Sequence, residues 1–391
     1  MTSDSPTHES FPDSPVTVVS GPGAWHRVPT ELRALGLQRV LVVCGANVGH
    51  LGAVQEVTAA HRDLFPAVFD QVEPDPSDRT IAAGGGLAAK LQVDGILGVG
   101  GGSSLDAAKA IAAEAVQPGW VLEQDDPGQP TQVPDEILPI VAVPTTAGTA
   151  SEVTPFSVIT YTATRRKGPL SHPALYPKLA VLDPELLLSA PREARVAAGM
   201  DALTHAIESY LSRQATDQTR KRSQAAVEDI ARSVVEATAP EPDLHALAQL
   251  QRAAMIAGLA FAVSRLGIVH AAALPLSALF GIPHGIANAI LLPHGMAFNE
   301  PAAEEDMGNL AGFLSVHSRK SAGTAMEAGT AVRQVRELAR LIGAPEKLSE
   351  VGVAREAIAG MAETAALSPN LKNNPRPATV EDLQTLYEQA W

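Results

Sequence analysis

One stretch limits what this chain can fold into more than any other. Residues 266–294 read LGIVHAAALPLSALFGIPHGIANAILLPH and hold three of the 11 histidines. His270 and His284 stand in apolar sequence and are followed by small residues, Ala271, Ala272 and Ala273 after the first, Gly285 and Ala287 after the second. Small neighbours leave room for a group that is not protein. A single helix through the stretch would hold the two imidazoles about 21 Å apart, too far to share a ligand. Gly281-Ile282-Pro283 interrupts the pattern, and proline is tolerated at a helix start but not in its interior. The reading is two helices joined by a sharp turn, with His284 near the start of the second. Such a turn can bring both histidines to one point.

A second stretch supplies what the first lacks. In GMDALTHAIE, residues 199–208, Asp201 and His205 are spaced i, i+4 and share one face of a helix. One carboxylate and three imidazoles form a four-ligand set suited to a borderline divalent ion such as Fe²⁺ or Zn²⁺. Taken singly, a histidine on an apolar face is more often a hydrogen-bonded core residue, so the weight lies on the four together.

At 391 residues the chain exceeds one ordinary core, and two domains are expected. Hydrophobic residues at 46% and charged residues at 18% are normal for a globular protein. The net charge of −14 argues against a nucleic-acid or membrane-surface partner. A single cysteine, Cys44, excludes an intrachain disulfide and fits a reducing cytoplasm. Residues 1–14 are polar, lack the regions of a signal peptide, and are expected to be a disordered tail. No run of about 18 apolar residues suggests a membrane span.

Residues 15–189 read as alternating strands and helices. Strands are expected over 16–19, 39–44, 67–69, 94–100, 137–143, 158–161 and 180–182. Helices are expected over 24–35, 52–65 and 78–91, and residues 117–135 read as loop. The 94–100 strand runs into Gly101-Gly102-Ser103-Ser104 and then a helix beginning near Leu105 and Asp106. Strand, glycine loop and helix form an anion-binding arrangement, in which amides at the helix start face a phosphate. A glycine loop alone also serves ordinary turns. PTTAGTASEV, residues 144–153, sets hydroxyls around a glycine and reads either as a cofactor contact or as a loop of Ser/Thr turns. From residue 190 strand signals nearly vanish, so residues 190–391 are expected to be helical.

GGGSSLDAAKA, PTTAGTASEV, DPEL, GMDALTHAIESY, LGIVH…PHGIANAILLPH and NNPRP, in that order, closely resemble the iron-containing (group III) alcohol dehydrogenases. The resemblance covers nearly the whole chain beyond about residue 15. It implies an α/β N-terminal dinucleotide-binding domain plus an all-α C-terminal domain, the dehydroquinate synthase-like fold, with a cleft between them. It implies one divalent metal, commonly Fe²⁺ and sometimes Zn²⁺, on Asp201, His205, His270 and His284. It implies a nicotinamide cofactor over Gly100, Gly101, Gly102, Ser103 and Asp106, with Thr145, Thr146 and Thr149 beside it and Lys167 in contact. The family's small N-terminal strand often pairs across two subunits, and 16–19 as an unpaired edge invites a homodimer or larger even assembly.

Three departures from the family bear on function. The acidic residue that usually ends the second strand and holds the ribose is Gly45 here. Its absence removes the repulsion of a 2′-phosphate, with Asn47 and the amides after Gly45 the nearest donors, so NADP(H) is favoured over NAD(H). The second histidine that many members carry four residues after the third ligand is Leu274 here, so the proton must come through water or a ribose hydroxyl. Arg265 stands where small or amide residues are usual. On one helix with His270 it would lie about 140° around the axis. A solvated arginine is the leading reading. In a pocket it would favour an aldehyde bearing carboxylate, phosphonate or sulfonate. The expected function is reversible hydride transfer between nicotinamide and a small alcohol/aldehyde pair. The alternatives are a maleylacetate-reductase-like or glycerol-dehydrogenase-like reductase, and a non-catalytic nucleotide-binding protein.

Overall fold

The structure is a computed structural model that describes residues 6–124, 132–164, 166–315 and 328–391. The chain divides into two compact units, Met1–Thr146 with Ala150–Ala190, and Ala147–Thr149 with Pro191–Trp391.

The first unit is built on strands β1 (Thr7–Ser10), β2 (Thr17–Ser20), β3 (Val40–Val43), β4 (Ala67–Phe69), β5 (Gly95–Gly100), β6 (Ile140–Pro144), β7 (Phe156–Tyr161), β8 (Arg166–Ser171) and β9 (Leu179–Leu182). Seven of them form one sheet in the order β1-β2-β9-β6-β5-β3-β4, parallel except for the antiparallel β1. β3, β5, β6 and β9 are buried along their whole length, which is why they read as continuous rather than alternating apolar runs. The unit's helices are α1 (Val28–Ala34), α2 (Ala46–Gly49), α3 (Gly52–Ala60), α4 (Asp78–Leu91), α5 (Gly102–Glu114) and α6 (Pro184–Leu187). The helix expected over 24–35 is a 3-10 turn, Ala24–Arg27, running into α1, and the one expected over 52–65 stops at Ala60.

The disordered tail expected over 1–14 is corrected in part. Residues 1–5 lie outside the described residues, but Thr7–Ser10 pair with β2 from Thr7↔Ser20 to Ser10↔Thr17. Polarity told only that this segment is exposed; a free edge of backbone donors and acceptors on β2 is enough to order it. The strand expected at 16–19 is therefore not an unpaired edge, since β1 and β9 flank it, and β1 is the edge instead. β8, with Gly168 and Pro169, carried no strand signal, and forms by pairing with β7. In the expected 117–135 loop, Trp120–Gln124 form a 3-10 turn with Trp120 and Val121 buried.

The second unit is helical: α7 (Arg192–Leu211), α8 (Asp217–Ala237), α9 (Leu244–Ser264), α10 (Ile268–Phe280), α11 (His284–Asn299), α12 (Glu304–Leu314), α13 (Thr330–Ile342), α14 (Ile358–Ala366) and α15 (Val380–Ala390). α9 is long and apolar enough to cross a membrane by length and composition, although Gln249, Gln251 and Arg252 break any continuous apolar run in it. Two thirds of it is buried inside the unit, as a core helix would be. The turn expected at 281–283 is present: Gly281 closes α10 with φ 64°, and Pro283 caps α11, whose first residue is His284. Proline is nevertheless found inside both helices, at Pro275 and Pro293. The buried Tyr387 hydroxyl of α15 donates to Ala272 O and ties α10 to the C-terminal helix.

Candidate metal centre and cofactor loop

α7 carries Asp201, His205 and Glu208 at i, i+4 and i+7, one stripe of a helix, and all three are buried. Asp201 Oδ1 is the point on which the site converges. His205 Nε2 and His270 Nε2 each lie 3.8 Å from it and His284 Nε2 lies 4.0 Å away. Ligand atoms of Asp201, His270 and His284 all fall within 4.8 Å of one another. His205 stands at the flank of that trio, its ring stacked on His270 at 4.6 Å and on Phe261 at 4.3 Å.

The outer nitrogens of two rings are tied. His205 Nδ1 donates to Gly148 O at 3.3 Å, and His270 Nδ1 donates to Glu208 Oε2 at 2.6 Å. These proton positions follow from the acceptors that face them. Each Nε2 is left as an acceptor, the form in which imidazole ligates a metal. Asn288, one turn after His284, donates through Nδ2 to Asp201 Oδ1 at 2.8 Å and lies 3.3 Å from His270 Nε2. Its Oδ1 is buried and has no hydrogen-bond partner among the described residues.

Burial raises the cost of charge on Asp201, yet the neighbouring His205, His284 and His270 and the Asn288 amide outweigh it and hold the carboxyl below its ordinary value. Burial, seconded by His270, pushes His205 down to about 4 against the pull of Asp201. A buried, ionised carboxylate facing imidazole acceptors is costly without a cation. The donor set, three nitrogens and one oxygen, therefore fits a borderline divalent ion.

Close backbone contact delivers His284 to this point. A Cβ on Gly285 would sit 2.1 Å from Ala197 O, so only glycine lets α11 approach α7 this closely.

In the first unit, β5 feeds the glycine loop into α5, as expected. Gly100 has φ 144°, and a Cβ there would lie 2.4 Å from Ser104 Oγ. Gly101 caps α5, whose first residues are Gly102 and Ser103, and Thr145 N donates to Gly100 O at 2.9 Å. Thr146 is beside Gly101: its Oγ1 would stand 3.4 Å from a Cβ there. Thr149 belongs to the second unit with Gly148. Asp106 has a structural role beside the one expected of it. Its carboxylate accepts from Ser151 Oγ at 2.6 Å and Val158 N at 2.9 Å, bracing α5 against β7. Lys167 pairs with Asp75 Oδ1 at 2.6 Å, and Asp75 N donates to Ser103 Oγ at 3.2 Å. Gly45 caps α2 with an ordinary φ of −80°, so no turn requires glycine there. A Cβ would instead meet Val72 O at 3.1 Å. Asn47 is exposed on α2.

Arg265 agrees with its reading as a solvated side chain but corrects the helical offset given to it. It is not on a helix with His270: it caps the end of α9 with φ 65°, and Gly267 caps the start of α10, so the 140° offset does not apply. Its side chain is exposed. Leu274, one turn after His270, is half-buried and brings no titratable group. Sequence reasoning passed over Glu208, Asn288 and Phe261. The i, i+4, i+7 stripe from Asp201 could have flagged Glu208, and i+4 from His284 could have flagged Asn288; nothing local marks Phe261.

Two family descriptions match the chain: "Iron-containing alcohol dehydrogenase" over residues 15–184 and "Fe-containing alcohol dehydrogenase family, C-terminal" over 195–391. Lactaldehyde reductase of Escherichia coli strain K12 is 36% identical over 376 residues, 95% of this chain and 97% of that protein. NAD-dependent methanol dehydrogenase of Bacillus methanolicus is 33% identical over 378 residues, 96% and 98% of the two. The solved structure of a 1,3-propanediol oxidoreductase superposes with a TM-score of 0.89 at 34% identity, covering 95% of this chain and 97% of its own.

Gly285→Ala tests the close packing behind the site. Its methyl group would overlap backbone, which cannot rotate away, so a loss of about 3 kcal/mol is expected. Thermal unfolding should drop by roughly 6–12 °C for a unit of this size. An unchanged Tm would show that α7 and α11 do not meet in this way.

Proposed function

The chain belongs to the iron-containing alcohol dehydrogenase family, and from that premise we propose that Asp201, His205, His270 and His284 hold the divalent ion of an enzyme that interconverts a small aldehyde and its alcohol. The enzyme is an alcohol dehydrogenase using a divalent metal and a nicotinamide cofactor. The observation that carries the ligand assignment is the convergence of three Nε2 atoms on Asp201 Oδ1 at 3.8–4.0 Å. When bound, the ion supplies Lewis-acid polarisation of the substrate oxygen and the nicotinamide supplies the hydride. The protein's part is positional. Asp201 provides the charge, Gly148 O accepts from the outer nitrogen of His205, and Phe261 stacks on its ring. Leu274 has no proton to give. Fe²⁺ is the first candidate and Zn²⁺ the second.

Relatives named for lactaldehyde and methanol favour a short substrate. The exposed Arg265 agrees with a solvated side chain, and only an arginine lining the substrate pocket would favour an acidic aldehyde. Full-length protein loaded with Fe²⁺ or Zn²⁺ and assayed on aldehydes of increasing length, neutral and acidic, tests this. His270→Ala should lose both bound metal, by elemental analysis, and activity. Full metal occupancy in that variant would sink the ligand assignment.

For the cofactor we place NADP(H) ahead of NAD(H), on the absence of a carboxylate at Gly45, although the methanol dehydrogenase relative is named NAD-dependent. Gly45→Asp adds a ribose acceptor and a repulsion toward a 2′-phosphate, at the cost of displacing Val72 O by a few tenths of an ångström. The ratio of kcat/KM for NADPH over NADH should fall in the variant. A wild type that already prefers NADH about tenfold, or 1.4 kcal/mol, removes the proposal.

β1 as the sheet's edge supports pairing with a second copy, hence a homodimer or larger even assembly. Light scattering at micromolar concentration should give at least twice the mass of 40.7 kDa; a monomer mass rejects it.

A further inference from the structure

His270 is gripped by a side chain outside the proposed ligand set. The buried Glu208 carboxylate accepts Val269 N at 2.6 Å on Oε1, and on Oε2 it accepts Gly267 N at 3.1 Å, His270 N at 3.3 Å and His270 Nδ1 at 2.6 Å. Asn374 Oδ1 accepts the remaining amide, Ile268 N, at 3.1 Å. A helix leaves its first amides without acceptors of its own. At α10 those from Gly267 to His270 are all met by these two buried residues.

The fit is close. A Cβ on Gly267 would lie 2.6 Å from Asn374 Oδ1 and 3.1 Å from Glu208 Oε1. Asn374 is fixed in turn by a reciprocal amide pair with Asn299, at 3.0 and 2.6 Å, and by donation to Arg376 O at 2.6 Å. The NNPRP segment, residues 373–377, thus has a structural place beneath α10.

We propose that Glu208 is a positioning residue for metal binding, which takes the Nδ1–H of His270 and the amides around it on one carboxylate and so fixes the tautomer whose Nε2 is open to an ion. The inference rests on the reading of His270 as a ligand. Asn288 agrees with it independently: its Nδ2 stands 3.3 Å from His270 Nε2, which two N–H groups could not share. Charge makes Glu208 more than a cap. A carboxylate accepts only, whereas a neutral amide in its place would turn an N–H toward a backbone amide or the ring.

Three measurements on the full chain test this. Long-range ¹H–¹⁵N correlation on metal-free wild type should show His270 protonated on Nδ1; protonation on Nε2 overturns the proposal and needs no variant. Competition with a chromophoric chelator should show Co²⁺ bound about 10–100-fold more weakly by Glu208→Gln. Asn374→Ala, which loses the cap on Ile268 N and the bonds to Asn299 and Arg376 without touching the ring, should lower Tm but leave the Co²⁺ Kd near wild type. Equal Kd in Glu208→Gln and wild type overturns the proposal. Equal weakening in both variants also does, since a cap alone would explain it. If His270→Ala binds Co²⁺ as tightly as wild type, the ligand reading itself has failed, and this inference with it. Should Glu208→Gln not fold, the wild-type tautomer decides.

Discussion

The second unit is arranged around a negative charge placed where water is scarce. Asp201 is buried, held ionised, and faced by three imidazoles and an amide. Such a group is expensive unless something positive or hydrogen-bonding meets each of its lone pairs. Helix α7 supplies the charge, α10 and α11 bring nitrogens to it, and the Gly285 contact sets how near α11 can come. The glycine after His284 follows from the need to bring α7 and α11 this close.

The first unit solves a similar problem with opposite sign. Lys109 is buried on α5 beneath the glycine loop and donates to Thr154 O at 2.8 Å and Phe156 O at 2.6 Å. Burial pushes it down to about 8, while Asp106 and Glu152 pull it back up. Burial likewise raises Glu152 to about 7. Lys109 and Asp106 bolt α5 to β7 and to Ser151, so the glycine loop stands on a fixed base.

What the sequence made legible was local and periodic. α4 is where a helix was read, because Ser77 caps it and an apolar face runs its length. The break between α10 and α11 was legible through Gly281, which takes the left-handed conformation; Pro275 and Pro293 show that proline by itself would have misled. Asp201 and His205 were legible as neighbours on one turn. The illegible parts depend on partners far along the chain. Glu208 meets His270 from 62 residues away, Lys167 meets Asp75 from 92, and β1 is ordered by an edge its own polar sequence does not announce. Arg265 was misplaced because an unbroken helix was assumed where the chain turns.

The carbonyl of Gly148 holds His205, yet it comes from Ala147–Thr149, three residues that belong to the helical unit while the sequence on both sides belongs to the sheet. Gene fusion or truncation at the apparent border near residue 190 would therefore cut the helices away from one of their own parts. A fragment starting there would carry all four proposed ligands and still lack the acceptor that orients one of them. Modularity in this chain is spatial, not linear, and chimaeras between relatives must exchange the short insertion together with the C-terminal helices.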